Sequence, residues 1–98
     1  MTHAPAVLVS GFVLAAALAS CGITGPDVEA DGTVRFVDVE GGCWGIETDD
    51  VMYEPINLRE SFRIDGLEVD FEAEERTDLS SICQIGVIVE LTEIEAVN

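Results

Sequence analysis

The side chains in this 98-residue sequence that could do chemistry are three cysteines, one histidine, 20 carboxylates and a lone tryptophan set among glycines. Cys21, Cys43 and Cys83 could pair, ligate a metal or carry a modification. With no lysine anywhere, neither a serine–lysine dyad nor a Schiff base can form. The glycine-rich "GGCWG" of Gly41–Gly45 follows a strand pattern but precedes no helix and lacks lysine, so it is not a phosphate loop. One run of acids has the spacing of a calcium loop. Asp27, Glu29 and Asp31 occupy its first, third and fifth places, Gly32 the sixth and Asp38 the twelfth. Against it stand Glu in place of Asp or Asn at the third position, Arg35 at the ninth, and no flanking helices. The expectation is no metal and no cofactor, with Asp27, Glu29, Asp31 and Asp38 as the calcium candidates to be checked.

Charge is divided sharply along the chain. No Asp, Glu, Lys or Arg precedes Asp27, so the whole formal charge of −16 lies between Asp27 and Asn98. The four bases are Arg35, Arg59, Arg63 and Arg76. Nucleic-acid affinity comes largely from cations that displace counterions around phosphates, so DNA and RNA are excluded as partners. A cationic partner suits such a surface, and the charge also keeps the protein soluble.

From Ala6 to Ala19 the chain is apolar apart from Ser10 and Gly11. That run is short of the roughly 20 residues that span a bilayer, but it suits the hydrophobic region of a secretory signal. It ends in Leu18-Ala19-Ser20-Cys21, which resembles the bacterial lipobox: an aliphatic residue, two small residues and a cysteine. The resemblance covers the first fifth of the chain. It implies that residues 1–20 are a signal peptide and that Cys21 is the lipid-bearing first residue of a mature chain held to a membrane. Two or three acyl chains, at roughly 0.8 kcal/mol per buried CH₂, would anchor a small domain stably. The implied location is the cell envelope, facing periplasm or exterior. Gly22 follows the cysteine where Asp would signal inner-membrane retention in some Gram-negative families, which points to the outer membrane in such a cell.

The same resemblance has two consequences. With Cys21 taken by lipid, Cys43 and Cys83 remain as an even pair in an oxidising compartment, and a disulfide between them is expected. Zinc is disfavoured, because a third soft ligand is missing once the leader and its His3 are removed. Loss of His3 also leaves Ser61, Ser80 and Ser81 without a base, which excludes a serine triad. The expectation is therefore not an enzyme.

The elements that must position these residues are strands. Gly22–Gly32 reads as a tether, giving a lipidated cysteine and flexible segment over 21–32 and a β domain over 33–98. Val34, Phe36 and Val39 suggest a first strand, with a phase slip at Phe36-Val37 that predicts a bulge. Cys43–Thr48 makes a second strand and Val51–Tyr53 a third, ended by Pro55. "NLRESFRI", Asn57–Ile64, predicts a helical turn or two, and Asp65-Gly66 a tight turn. In "LEVDFEAE" Leu67, Val69, Phe71 and Ala73 alternate with acids, the clearest half-buried strand in the chain. A polar loop over Glu75–Ser81 leads to a final strand or pair of strands over Ile82–Val97, with Gly86 as a bulge or corner.

Five strands with a short helical turn between the third and fourth are similar in element order to the OB fold, a small Greek-key barrel. The expected class is all-β and OB-like, with a small sandwich or open meander as the alternative. Inward positions are Val34, Phe36, Trp44, Ile46, Met52, Tyr53, Leu58, Phe62, Leu67, Val69, Phe71, Ile85, Val87, Val89 and Leu91. Trp44, with Tyr53 near it if strands two and three pair, is the candidate platform for a protein, peptide or saccharide ligand. Its competing role is to plug the barrel or pack on the disulfide. The functional expectation is a membrane-anchored binding or structural module. The alternative is a periplasmic carboxylate- or calcium-dependent enzyme or accessory domain.

Overall fold

A computed structural model describes residues 25–97. The expected signal peptide over residues 1–20 and the expected lipidation site at Cys21 lie outside the described residues. Five strands appear in the order β1 (Val28–Val37), β2 (Cys43–Glu47), β3 (Met52–Pro55), β4 (Glu68–Glu75) and β5 (Val87–Ala96). A single 3₁₀ turn, Glu60–Phe62, separates β3 from β4. The strands close into a barrel in the spatial order β1-β2-β3-β5-β4. All neighbours are antiparallel except β3 and β5, which run parallel. The molecule is an all-β, five-stranded closed barrel of the OB-like type, and the sandwich and meander alternatives fall away.

The alternation in β4 does what period two requires: Val69, Phe71 and Ala73 are buried while Glu68, Asp70 and Glu74 are exposed. Val34, Ile46, Leu58, Val69, Phe71, Ala73, Val89 and Leu91 form the barrel interior. Closure depends on β1, which pairs with β4 along Val28–Thr33 and with β2 along Thr33–Val37. Thr33 faces Glu47 on one side and Glu68 on the other, so the strand changes partner there. Gly32 permits the change, because a Cβ at that position would lie 2.6 Å from the Glu47 carbonyl oxygen.

Three sequence expectations are corrected. β1 begins at Val28, so Val28–Gly32 belong to the barrel and the tether reading fails there. The Asp27 carboxylate, just before the strand, accepts the Glu75 N–H at 3.0 Å and fastens this start to the end of β4. The bulge predicted at Phe36-Val37 is absent, since Phe36 faces Trp44 and Val37 faces Cys43 in unbroken register. The irregularity lies instead in β5: Glu72 faces Glu93 and Ala73 faces Leu91, leaving Thr92 as the extra residue. Asn57 steadies the neighbouring backbone, donating to the Leu91 carbonyl at 3.0 Å and accepting the Leu91 N–H at 2.8 Å. Finally, the last strand starts at Val87, not Ile82, and residues 76–86 form a loop.

Candidate functional site

Two cysteines and a serine explain the long loop. Cys83 is disulfide-bonded to Cys43 at the start of β2, with Cα atoms 6.2 Å apart. Ser81 Oγ donates to Glu54 of β3 and accepts the Cys83 N–H at 2.9 Å. Ile85 lies against Gly45 of β2, beside Met52. Cys43 and Gly45 alternate with the inward Ile46, so they point to the outside of the barrel, yet both are buried. The 76–86 loop covers them like a strap. In OB-like barrels the outer face of strands two and three, flanked by the β1–β2 and β4–β5 loops, is the usual ligand surface. In this protein the β4–β5 loop itself occupies that face. Met52 and Ile85 were expected inside the barrel and instead fill the gap between strap and barrel.

Arg76 fixes the near end of the strap. Its guanidinium donates to Asp78 at 2.8 Å and to Glu90 at 2.9 Å. The hydrogen bond from Arg76 is the main reason the Asp78 carboxyl is lowered to about 2. Arg35 donates to Glu47 at 2.9 Å, and that bond raises its already high pKa.

The opposite side of the barrel is left open and is strongly acidic. The register of β1, β4 and β5 lays carboxylates directly opposite one another across three strands. Glu29 faces Glu72, which faces Glu93, and Asp31 faces Asp70, which faces Glu95. These six side chains, with Ala30 and Phe71, line an open groove of about 420 Å³. Like charges directly opposite each other in a sheet are destabilising, so this arrangement works against the fold that holds it.

The calcium candidates do not come together. Glu29 and Asp31 project from the outer face of an extended strand, with Asp27 before its start and Asp38 beyond its end. A calcium loop must curl its first and twelfth ligands around one ion, and a ten-residue strand holds them apart. Among the described residues no group of three His, Cys, Asp or Glu side chains has metal-site geometry.

Trp44 and Tyr53, the platform candidates, are both partly buried and packed against the barrel core on the paired strands β2 and β3. Tyr53 packs edge-on against Phe71 at 5.8 Å, within the barrel. Trp44 packs edge-on against Phe36 at 5.2 Å, at the end of the barrel where β1 meets the β1–β2 loop. Phe36 was expected to be inward and has the inward parity, but it is 46% exposed. Strand alternation assigns a side chain to the inner face and says nothing of whether the barrel continues above it. Phe36 and four members of the acidic rows, Asp70, Glu72, Glu93 and Glu95, are not among the site candidates of the sequence, because which acids meet depends on register.

Compared with known proteins, the chain matches no family model, and no curated protein aligns with it significantly.

Proposed function

We propose that this chain is a lipid-anchored envelope protein whose acidic OB-like barrel is a binding module for a cationic partner. The anchor rests on the resemblance of Leu18-Ala19-Ser20-Cys21 to a lipobox. The binding role rests on one observation, the two cross-strand rows of three carboxylates on β1, β4 and β5. Their mutual repulsion costs stability, and a cation bound between the rows relieves it. Complementary charge also speeds encounter with such a partner. The covered outer face of β2 and β3 supports the same reading, since it directs ligands to the remaining surfaces.

The two halves are tested separately. Intact-mass analysis of membrane-extracted protein should give a chain that starts at Cys21 and carries acyl chains; a chain retaining residues 1–20, or lacking lipid, refutes the anchor. Spermine titrated into the full chain should bind at low salt and weaken steeply as salt rises. Neutralising one row with Glu29→Gln, Glu72→Gln and Glu93→Gln should weaken it severalfold. Equal affinity in that variant refutes the binding role.

A further inference from the structure

We infer that the Phe36–Trp44 end of the barrel docks a basic segment of a partner protein, seating one aromatic or aliphatic side chain of that segment on the Phe36 ring. The inference rests on the cationic-partner reading and adds a place and a recognition chemistry to it.

Phe36 is exposed but not loose. Its ring lies between the edge-on Trp44 and the backbone of Gly42, where an added Cβ would come within 2.8 Å of the ring. Glu40, Gly41 and Gly42 all have positive φ, at 46°, 85° and 114°, and this tight loop brings Gly42 under the ring. The Phe36 N–H donates to Asp65 Oδ1 at 2.8 Å, which joins the Asp65-Gly66 turn to the same end of β1. Two further apolar residues sit on these flanking loops: Val39, 39% exposed, and Ile64, 54% exposed. An aromatic held in one position loses little entropy when a partner covers it, which is the property of interface anchors.

Charge selects the occupant. Asp38, Glu40 and Asp65 are exposed on the two loops around the aromatic pair. Arg35, whose charge senses Asp65, is already engaged with Glu47, and Arg63 donates to the Leu58 carbonyl at 2.9 Å. The apolar centre within an acidic rim is complementary to an apolar side chain flanked by lysines or arginines. A neutral saccharide would use the aromatic rings but leave the carboxylates unanswered. This end of β1 is also remote from Val28, where the described chain enters the barrel.

The test uses the full chain in neutral detergent and two blocked pentapeptides, Lys-Lys-Phe-Lys-Lys and Lys-Lys-Gly-Lys-Lys. Trp44, the single tryptophan, reports binding by fluorescence. The phenylalanine peptide should bind at least fivefold more tightly than the glycine peptide and shift Trp44 emission. Phe36→Ser and, separately, Ile64→Ser should reduce that advantage and leave the glycine peptide unaffected. If Phe36→Ser fails to fold by circular dichroism, Ile64→Ser, in an exposed loop, carries the test. Equal binding of the two peptides to the unaltered chain overturns the docking end while leaving the acidic-surface role standing. An advantage that survives both substitutions overturns it as well. Absence of binding by either peptide removes both readings. A shift of Trp44 emission by cellohexaose, with none by the peptides, replaces the protein partner with a saccharide.

Discussion

Glu72 is the middle carboxylate of its row, with Glu29 on one side and Glu93 on the other. Replacing it with lysine converts two repulsive cross-strand pairs into two attractive ones. Each such pair is worth roughly 0.2–1 kcal/mol, so Glu72→Lys should stabilise the barrel by about 1 kcal/mol in urea unfolding. A destabilised variant would show that side-chain packing, not charge, governs that row. Asp78 gives a second residue-scale expectation. Its carboxyl is lowered to about 2 by hydrogen bonding to Arg76, below the ordinary value of 3.8. A carboxyl lowered in the folded state adds stability that is fully present above the unfolded value and is lost as pH falls through the folded one. The Arg76–Asp78 contribution should therefore persist at neutral pH and disappear between about pH 4 and pH 2. Carbon-13 titration of the Asp78 carboxyl checks this, and a midpoint near 4 would contradict the pairing.

The element whose behaviour is most distinctive is the strap of residues 76–86. It has no strand of its own, and the Cys43–Cys83 bond, the Ser81–Glu54 hydrogen bond and Ile85 packing hold it to β2 and β3. The disulfide closes 40 residues of chain, which by loop entropy is worth about 4 kcal/mol. The Cys43→Ala/Cys83→Ala double variant should lose stability of that order in chemical unfolding. Amide exchange should quicken most in the strap. Unchanged protection there would mean that packing alone keeps the strap down. Much of this element was hidden in the sequence. Ile85 looks like a strand residue because its apolar character is visible, while the surface it covers at Gly45 is not; Ile82 stays exposed. A loop that packs on the outside of a barrel needs the same residue types as a strand that packs on the inside.

At the scale of the whole molecule, charge and fold oppose each other. The barrel interior is small, and the 16 surplus negative charges lie on the residues that build it and its immediate flanks. Screening should relieve this repulsion, so the barrel should unfold at a higher temperature in 1 M sodium chloride than at low salt. No rise would mean that the carboxylates are too far apart or too well hydrated to matter. The overall architecture was largely legible in advance. The alternation in β4, the turn signals at Gly41-Gly42 and Asp65-Gly66, and the short helical segment after Pro55 set the element order. That order is the one found. The start of β1 was misread because Val28–Gly32 has the glycine and acids of a linker; its pairing with β4 is what makes it a strand.

What the sequence determined by itself is the acidity of everything after Pro26, an all-β chain of about five strands, and the inward side of β2 and β4. These are local properties: composition, and an alternation whose period is set by strand geometry. The proposed leader and the proposed anchor at Cys21 rest on sequence pattern alone. Only the tertiary structure decided which carboxylates stand opposite one another, which face the strap covers, and that Phe36 lies beyond the packed interior with Trp44 and Gly42 beside it. Alternation is indifferent to a shift of register by two residues, so it cannot say which acids meet. Closing the barrel removes that freedom, because β1 must satisfy β2 and β4 at once.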